Sequence, residues 1–332
     1  MLREHKPIHP CTWIQLKQLP MSSKGICVVP NNSFRRNFLA SIGAHEFFKP
    51  QMWKAALTEL VATATLMFTL TTSIIACLES HEVDPKLLVP FAVFIIAFLF
   101  LIVTVPLTGG HMSPVFTFIA TLKGVVTLTR ALIYVLAQCI GSILGFFILN
   151  CVMEPKLVET YSLGGCSVHG NGVNSGIKVQ NALLLEFTCT FVVLFVGVTL
   201  AFDKKRSKDL GLPMVCLVVA GAMALAVFVS ITVTGQAGYA GVGLNPARCL
   251  GAALLHEGSL WKGHWVFWFG PLLACTIYYA LSINLPKEGL VWVDGEYDVF
   301  KLTIGSWRTA YDDTVISNGP EEGNPGFQVQ VS

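Results

Sequence analysis

Two short stretches carry most of the chemistry this chain offers: GGHMSP, ending at Pro114, and GVGLNP, ending at Pro246. Each places a hydrogen-bonding side chain, Ser113 or Asn245, directly before a proline and within or beside long uncharged sequence. Ser and Asn accept hydrogen bonds from the first free N–H groups of a helix, and Pro suits the first helical position, where its missing donor would have had no partner. Both motifs therefore read as helix starts. Val115 and Ala247 follow the prolines, and Arg248 follows Ala247. A helix N-terminus is partly positive, Ser and Asn offer polar contacts, and a guanidinium adds fixed charge. Such groups orient neutral hydrogen-bonding molecules and disfavour cations. Two carboxylates, Glu59 and Glu186, stand out in the same apolar surroundings.

The elements that must position these residues are set by composition. Of 332 residues, 53% are hydrophobic and 13% charged, and the mean hydropathy is strongly positive. A water-soluble domain with an ordinary surface would hardly tolerate that balance. Uncharged stretches of spanning length run over 60–78, 87–110, 131–153, 210–247 and 265–285, with a sixth over 179–202 interrupted by Glu186. The expectation is an all-α membrane protein with six spans in a channel domain over 52–285. Residues 1–51 and 286–332 form two tails without sustained periodicity, apart from a short extended candidate at 290–302.

Basic residues near spans are retained in the cytoplasm. They concentrate before the first span, in DKKRSKD at 203–209, and at Lys123 and Arg130, all on one side of a six-span arrangement. Both termini are therefore expected in the cytoplasm. The first span begins too late for a cleaved signal peptide. The ten cysteines show no Cys-x-x-Cys or Cys/His cluster, which argues against a zinc site and against a secreted disulfide scaffold.

The chain also repeats itself. ELVATATLMF (59–68) matches EFTCTFVVLF (186–195), each opening on a glutamate with a threonine four residues on. Glu59 precedes Ser113 by 54 residues and Glu186 precedes Asn245 by 59. The repeats run over about 52–153 and 179–285. Each holds three spans, an odd number, so the second enters the membrane from the opposite side. After each proline comes a run of roughly ten residues, which as a helix rises ~15 Å, half of the hydrocarbon thickness. Two such half-helices, one from each side, complete one span. Proline kinks in ordinary spans would account for one motif alone, but not for two in matching positions of inverted halves.

On these residues the chain resembles the major intrinsic proteins, the aquaporin and aquaglyceroporin channels. Their two Asn-Pro-Ala motifs are similar to SPV at 113–115 and NPA at 245–247. Supporting matches are Glu59, Glu186, AQCIG at 137–141 and GHWVFWFGP at 263–271. NPARC, the altered first motif and LGGC at 163–166 look most similar to the plant X-intrinsic proteins. The resemblance implies a right-handed bundle with two re-entrant half-helices and a plasma-membrane homotetramer with one pore per protomer. It further implies passage of glycerol, urea, boric acid and hydrogen peroxide, with water conducted weakly. Aligned by counting back from the motifs, Val93, Val233 and Val242 share the constriction with Arg248. Three valines imply a wider, more apolar filter than that of strict water channels.

Glu59 and Glu186 have two readings, a proton relay or anchors for the backbone of the re-entrant loops. Recurrence in both halves, without an accompanying buried Lys, Asp or His chain, favours anchoring. His111 is either a pH reporter or a hydrogen-bonded loop residue, and the second is commoner. Cys249 is either an activated thiol beside Arg248 or a packing residue. Cys166 is a candidate for an inter-subunit disulfide or a metal, and Ser207 for phosphorylation, although most such serines are solvated loop residues. The expectation is passive conduction of small neutral solutes, with membrane lipid as surroundings, and with no cofactor, metal site, enzymatic activity or nucleic-acid partner. A secondary transporter is the competing class, but the second charged site that a coupling ion would need is missing from the sequence.

Overall fold

In the computed structural model the described residues are 42–80, 84–169, 176–234, 239–256 and 258–284. Their main elements, in chain order, are α1 (Pro50–Glu79), α2 (Pro85–Thr108), α3 (Pro114–Leu122), α4 (Leu128–Val152), α5 (Pro155–Thr160), α6 (Val179–Val193), α7 (Lys204–Thr234), α8 (Pro246–Leu255) and α9 (Val266–Asn284). A π-helical segment, Leu194–Val198, and a last turn, Thr199–Ala201, prolong α6. Six helices are long and apolar enough to cross a membrane, and α3 and α8 are the two short apolar helices that follow the motif prolines.

The ends of the helices follow from local chemistry. Asp84 caps α2 by accepting from Lys86 N–H, and Gly109, at φ 95°, ends it. Thr127 caps α4 in the same way as Asp84 caps α2. The uncharged run 210–247 is not one helix: α7 ends at Thr234 and α8 starts at Pro246. Near its start α7 is broken at Gly211 (φ 74°, ψ 160°), two residues before Pro213. Ser207, expected in a loop, lies in the short helical piece before that break and is only half-buried.

The exterior is apolar. Leu99, Val103 and Leu107 of α2, and Leu132, Leu136 and Ile140 of α4, are exposed at four-residue spacing, a stripe that suits lipid and not water. Inside, α1 packs on α4, α2 on α7 and α6 on α9. The α1/α4 contact depends on Gly141 and Gly145, where a Cβ would collide with the backbone carbonyls of Leu60 and Ala64. The short helices cross between halves: α3 packs on α9, and α8 packs on α4.

One boundary differs from the sequence expectation. Residues 44–49, assigned to the amino-terminal tail, belong to the folded body. A 3-10 turn at Ala44–Phe48 buries Glu46, whose carboxylate accepts from Thr127 Oγ1 and Arg130 Nε, both at 2.9 Å. The rest of that tail up to residue 41, and the whole segment 286–332 with its extended candidate, lie outside the described residues.

Candidate functional site

The two short helices begin side by side. Ser113 Oγ accepts from Val115 N–H at 3.3 Å, and Asn245 Oδ1 accepts from Ala247 N–H at 3.1 Å. The residue before each cap, Met112 at φ 44° and Leu244 at φ 54°, is left-handed, a strained geometry for side chains of this size. It turns each chain sharply into its helix. Asn245 Nδ2 donates to the Met112 carbonyl at 2.9 Å and so ties one loop to the other.

Each strained turn is held by a fully buried glutamate. Glu59 Oε1 accepts from Thr108 Oγ1 (2.5 Å) and His111 N–H (3.2 Å), and Oε2 from Met112 N–H (2.7 Å) and Gln138 Nε2 (2.9 Å). Glu186 accepts from Gly243 N–H at 2.5 Å and Leu244 N–H at 3.4 Å. Backbone donors that belong to no helix ladder are thereby satisfied at depth, as a water-free setting requires. Gln138 also donates to Thr117 Oγ1, which lies 3.1 Å from His111 Nδ1.

Arg248, in the first turn of α8, is buried and forms no ion pair with a carboxylate among the described residues. Its Nη2 donates to the Gly164 carbonyl at 3.1 Å and Nη1 to Cys166 Sγ at 3.3 Å, while Nε has no protein partner among the described residues. Cys166 and Cys249 are joined in a disulfide across 83 residues.

Three cavities line up through this assembly. The central one, about 110 Å³, is bordered by both loops, with Ser113, Asn245 and Arg248 facing apolar residues of α1, α2 and α7. That volume suits a few water-sized molecules at ~30 Å³ each. An outer vestibule shares Ile74, Val89, Ile231, Ala240 and Arg248 with it. An inner vestibule shares Leu101, Gly110, His111 and Phe116 with it and also reaches Ser207 and Lys208. In the outer vestibule Tyr161 donates to Glu79, and this hydrogen bond raises the phenol above its ordinary range.

With this geometry in view, a family comparison is decisive: residues 46–279 match the model of the major intrinsic proteins. The chain is a major intrinsic protein. Among its relatives are an aquaporin TIP1-1 of Arabidopsis thaliana, 30% identical over 75% of this chain and 95% of that one, and an aquaporin PIP2-5 of Zea mays, 29% identical over 75% and 89%. An aquaglyceroporin of Plasmodium falciparum shares the fold at a TM-score of 0.58, with 16% identity over 70% of this chain and 96% of that one. This major intrinsic protein is thus a multi-pass membrane protein of a channel family.

The residues singled out from its sequence fall into three groups. Ser113, Asn245, Arg248, His111, Val93 and Val242 line the central cavity. Val115 is not among the lining residues; it is buried in an apolar cluster that also holds Ile119, Leu194 and Tyr278. The side chain of Val233 lies outside the described residues. The α7 residues on the cavity are Met223, Val227 and Ile231, at four-residue spacing along one face. At the junction with the outer vestibule stand Ile74, Val89, Ile231 and Ala240 with Arg248, so Val93 lies one turn from Val89, away from the junction. Counting back from the motifs presumes fixed loop lengths; the periodicity of α7 is the signal that finds Ile231. Two cysteine readings are corrected. Cys166 is bonded within its own chain and not to a second subunit or a metal, and Cys249 is its partner and not a free thiol. Gln138 and Thr108, as side-chain ligands of Glu59, were not singled out from sequence.

Proposed function

We propose that this protein is a passive channel for small uncharged solutes, of the X-intrinsic type, that passes glycerol, urea, boric acid and hydrogen peroxide, conducts water weakly and excludes ions. The observation that carries the reading is the line of three cavities that share walls past the two half-helix starts. A solute entering the outer vestibule meets the Arg248 side chain and an otherwise apolar ring of Ile74, Val89, Ile231 and Ala240. Such a ring suits the carbon skeleton of a small polyol, while the loop backbone and the polar groups of Ser113 and Asn245 replace lost hydration. Cations are opposed by the fixed charge of Arg248 and by two positive helix ends.

In this reading the channel domain, 52–285 by sequence, extends back to the turn at Ala44, with repeats of about 52–153 and 179–285. Ser113, Pro114, Val115, Asn245, Pro246 and Ala247 form the two pore motifs, Glu59 and Glu186 anchor the loops, and Val93 and Val242 extend the filter inward. Both termini lie in the cytoplasm, and the protein acts in the plasma membrane as a homotetramer. The disulfide supports that orientation, because the connection holding Cys166 then lies on the oxidising, outer side. The test is osmotic uptake of glycerol, urea, boric acid and water by vesicles holding the purified protein, with Arg248→Ala as control. Solute uptake altered by Arg248→Ala is expected; fast water flux without uptake of any of the solutes overturns the assignment.

A further inference from the structure

We infer that the Cys166–Cys249 bond is a positioning clamp for Arg248, and through it a determinant of which solutes pass. The inference rests on the proposed filter role of Arg248. A buried guanidinium is normally held by a carboxylate, but the ion pairs of the described residues, Arg130–Glu46 and Arg206–Asp203, leave Arg248 out. Neutral acceptors hold it instead: the Gly164 carbonyl and Cys166 Sγ. Gly164 ends a single 3-10 turn, Ser162–Gly164, and Cys166 lies in the irregular chain that follows it, so only that short turn fixes the backbone between α5 and α6 around the two acceptors. A long, rotamer-rich side chain is only as well placed as its partners. The disulfide supplies the missing rigidity, because it joins Cys166 to Cys249, the residue next to Arg248, with their Cα atoms 5.0 Å apart. A further tie runs from Ala240 N–H to the Ser167 carbonyl at 3.3 Å.

The bond also presses on the second re-entrant loop. A Cβ at Gly243 would lie 2.5 Å from Cys249 Sγ and 3.2 Å from Cys166 Sγ, so only glycine fits between the loop and the disulfide. The Gly243 N–H is the one that Glu186 holds at 2.5 Å. Loop, anchor, disulfide and arginine therefore form one contiguous unit on the cavity wall. Both cysteines are 1% exposed, which shields the bond from adventitious exchange.

A simple stabilising staple would change how much protein survives heating but not the selectivity of each pore. The experiment separates the two roles by measuring the ratio of glycerol to erythritol flux in proteoliposomes, for wild type, the double variant C166S/C249S, Arg248→Ala, and the triple combination. Loss of one or two hydrogen bonds to Arg248 should lower that ratio by roughly three- to tenfold in C166S/C249S. If the bond acts through Arg248, adding C166S/C249S to Arg248→Ala should move the ratio by less than about twofold, the non-additivity of coupled residues. A double variant with lowered thermal stability but the wild-type ratio overturns the clamp while leaving the filter intact. An unchanged ratio in Arg248→Ala overturns the filter reading and the clamp with it. Should the double variant not fold, wild-type vesicles before and after treatment with a membrane-permeant phosphine, taken to the point where peptide mapping shows the buried bond cleaved, give the same readout. Peptide mapping without reductant that finds Cys166 and Cys249 unlinked also overturns the inference.

Discussion

Replacing Glu59 by glutamine should harm the protein more than the same change at Glu186, and the structure says by how much. Four donors converge on Glu59, two at each oxygen. Whichever oxygen becomes an amide NH2, at least one bond is lost and one buried backbone N–H, of His111 or Met112, is orphaned, because the Thr108 hydroxyl can turn and accept but an N–H cannot. At about 1 kcal/mol for the lost bond and about 1–3 kcal/mol for the orphaned donor, Glu59→Gln costs ~2–4 kcal/mol. Glu186 has two backbone donors, and the one from Leu244 is long at 3.4 Å. Its amide can keep the oxygen on Gly243 and sacrifice the weak bond, at ~1–2 kcal/mol. At about 2–4 °C per kcal/mol for a domain of this size, unfolding midpoints should fall by roughly 6–12 °C for Glu59→Gln and roughly 4–6 °C for Glu186→Gln. The assay is thermal unfolding of the two variants in the same detergent, followed by intrinsic fluorescence. Equal shifts, a larger shift for Glu186→Gln, or none in either would refute the view that these carboxylates act as loop anchors.

Other perturbations probe the path itself. Ile231→Phe adds bulk where central cavity and outer vestibule meet, so glycerol flux should drop at least about fivefold, the effect of a narrowed filter; unchanged flux would remove Ile231 from the path. Asn245→Asp keeps the cap on Ala247 but replaces the donor to Met112 by negative charge beside the cavity; sodium conductance, expected to be near zero in wild type, should become measurable in a planar bilayer. Gly145→Leu pushes α1 from α4 at their closest approach, and size-exclusion chromatography should show aggregated protein in place of a single sharp species.

Much of this architecture is legible in the sequence because two constraints act locally. Spanning length forces long apolar runs, and a helix start at depth forces a capping residue before proline, so α1–α4 and α6–α9 follow from composition and the two motifs. Features that depend on distant contacts are not local. The pairing of Cys166 with Cys249 crosses 83 residues, and nothing in the spacing of ten cysteines selects it. Glu46 reads as a tail residue until Thr127 and Arg130 meet it. Val93 and Val233 come from counting, which fixes a position along the chain but not the face of a helix, whereas the junction is set by which faces of α2 and α7 oppose Arg248. Glu59 and Glu186 stand out as lone charges in apolar runs; their ligands Thr108 and Gln138 are ordinary polar residues whose role depends on the fold.

A passive path past two abutting helix starts, with no coupled cycle, has a kinetic signature of its own. The most direct measurement is initial glycerol influx into proteoliposomes over rising outside concentration, with and without imposed sodium and proton gradients. Influx through a passive pore should rise linearly and ignore both gradients. Influx that saturates and follows either gradient would contradict it and point to a secondary transporter.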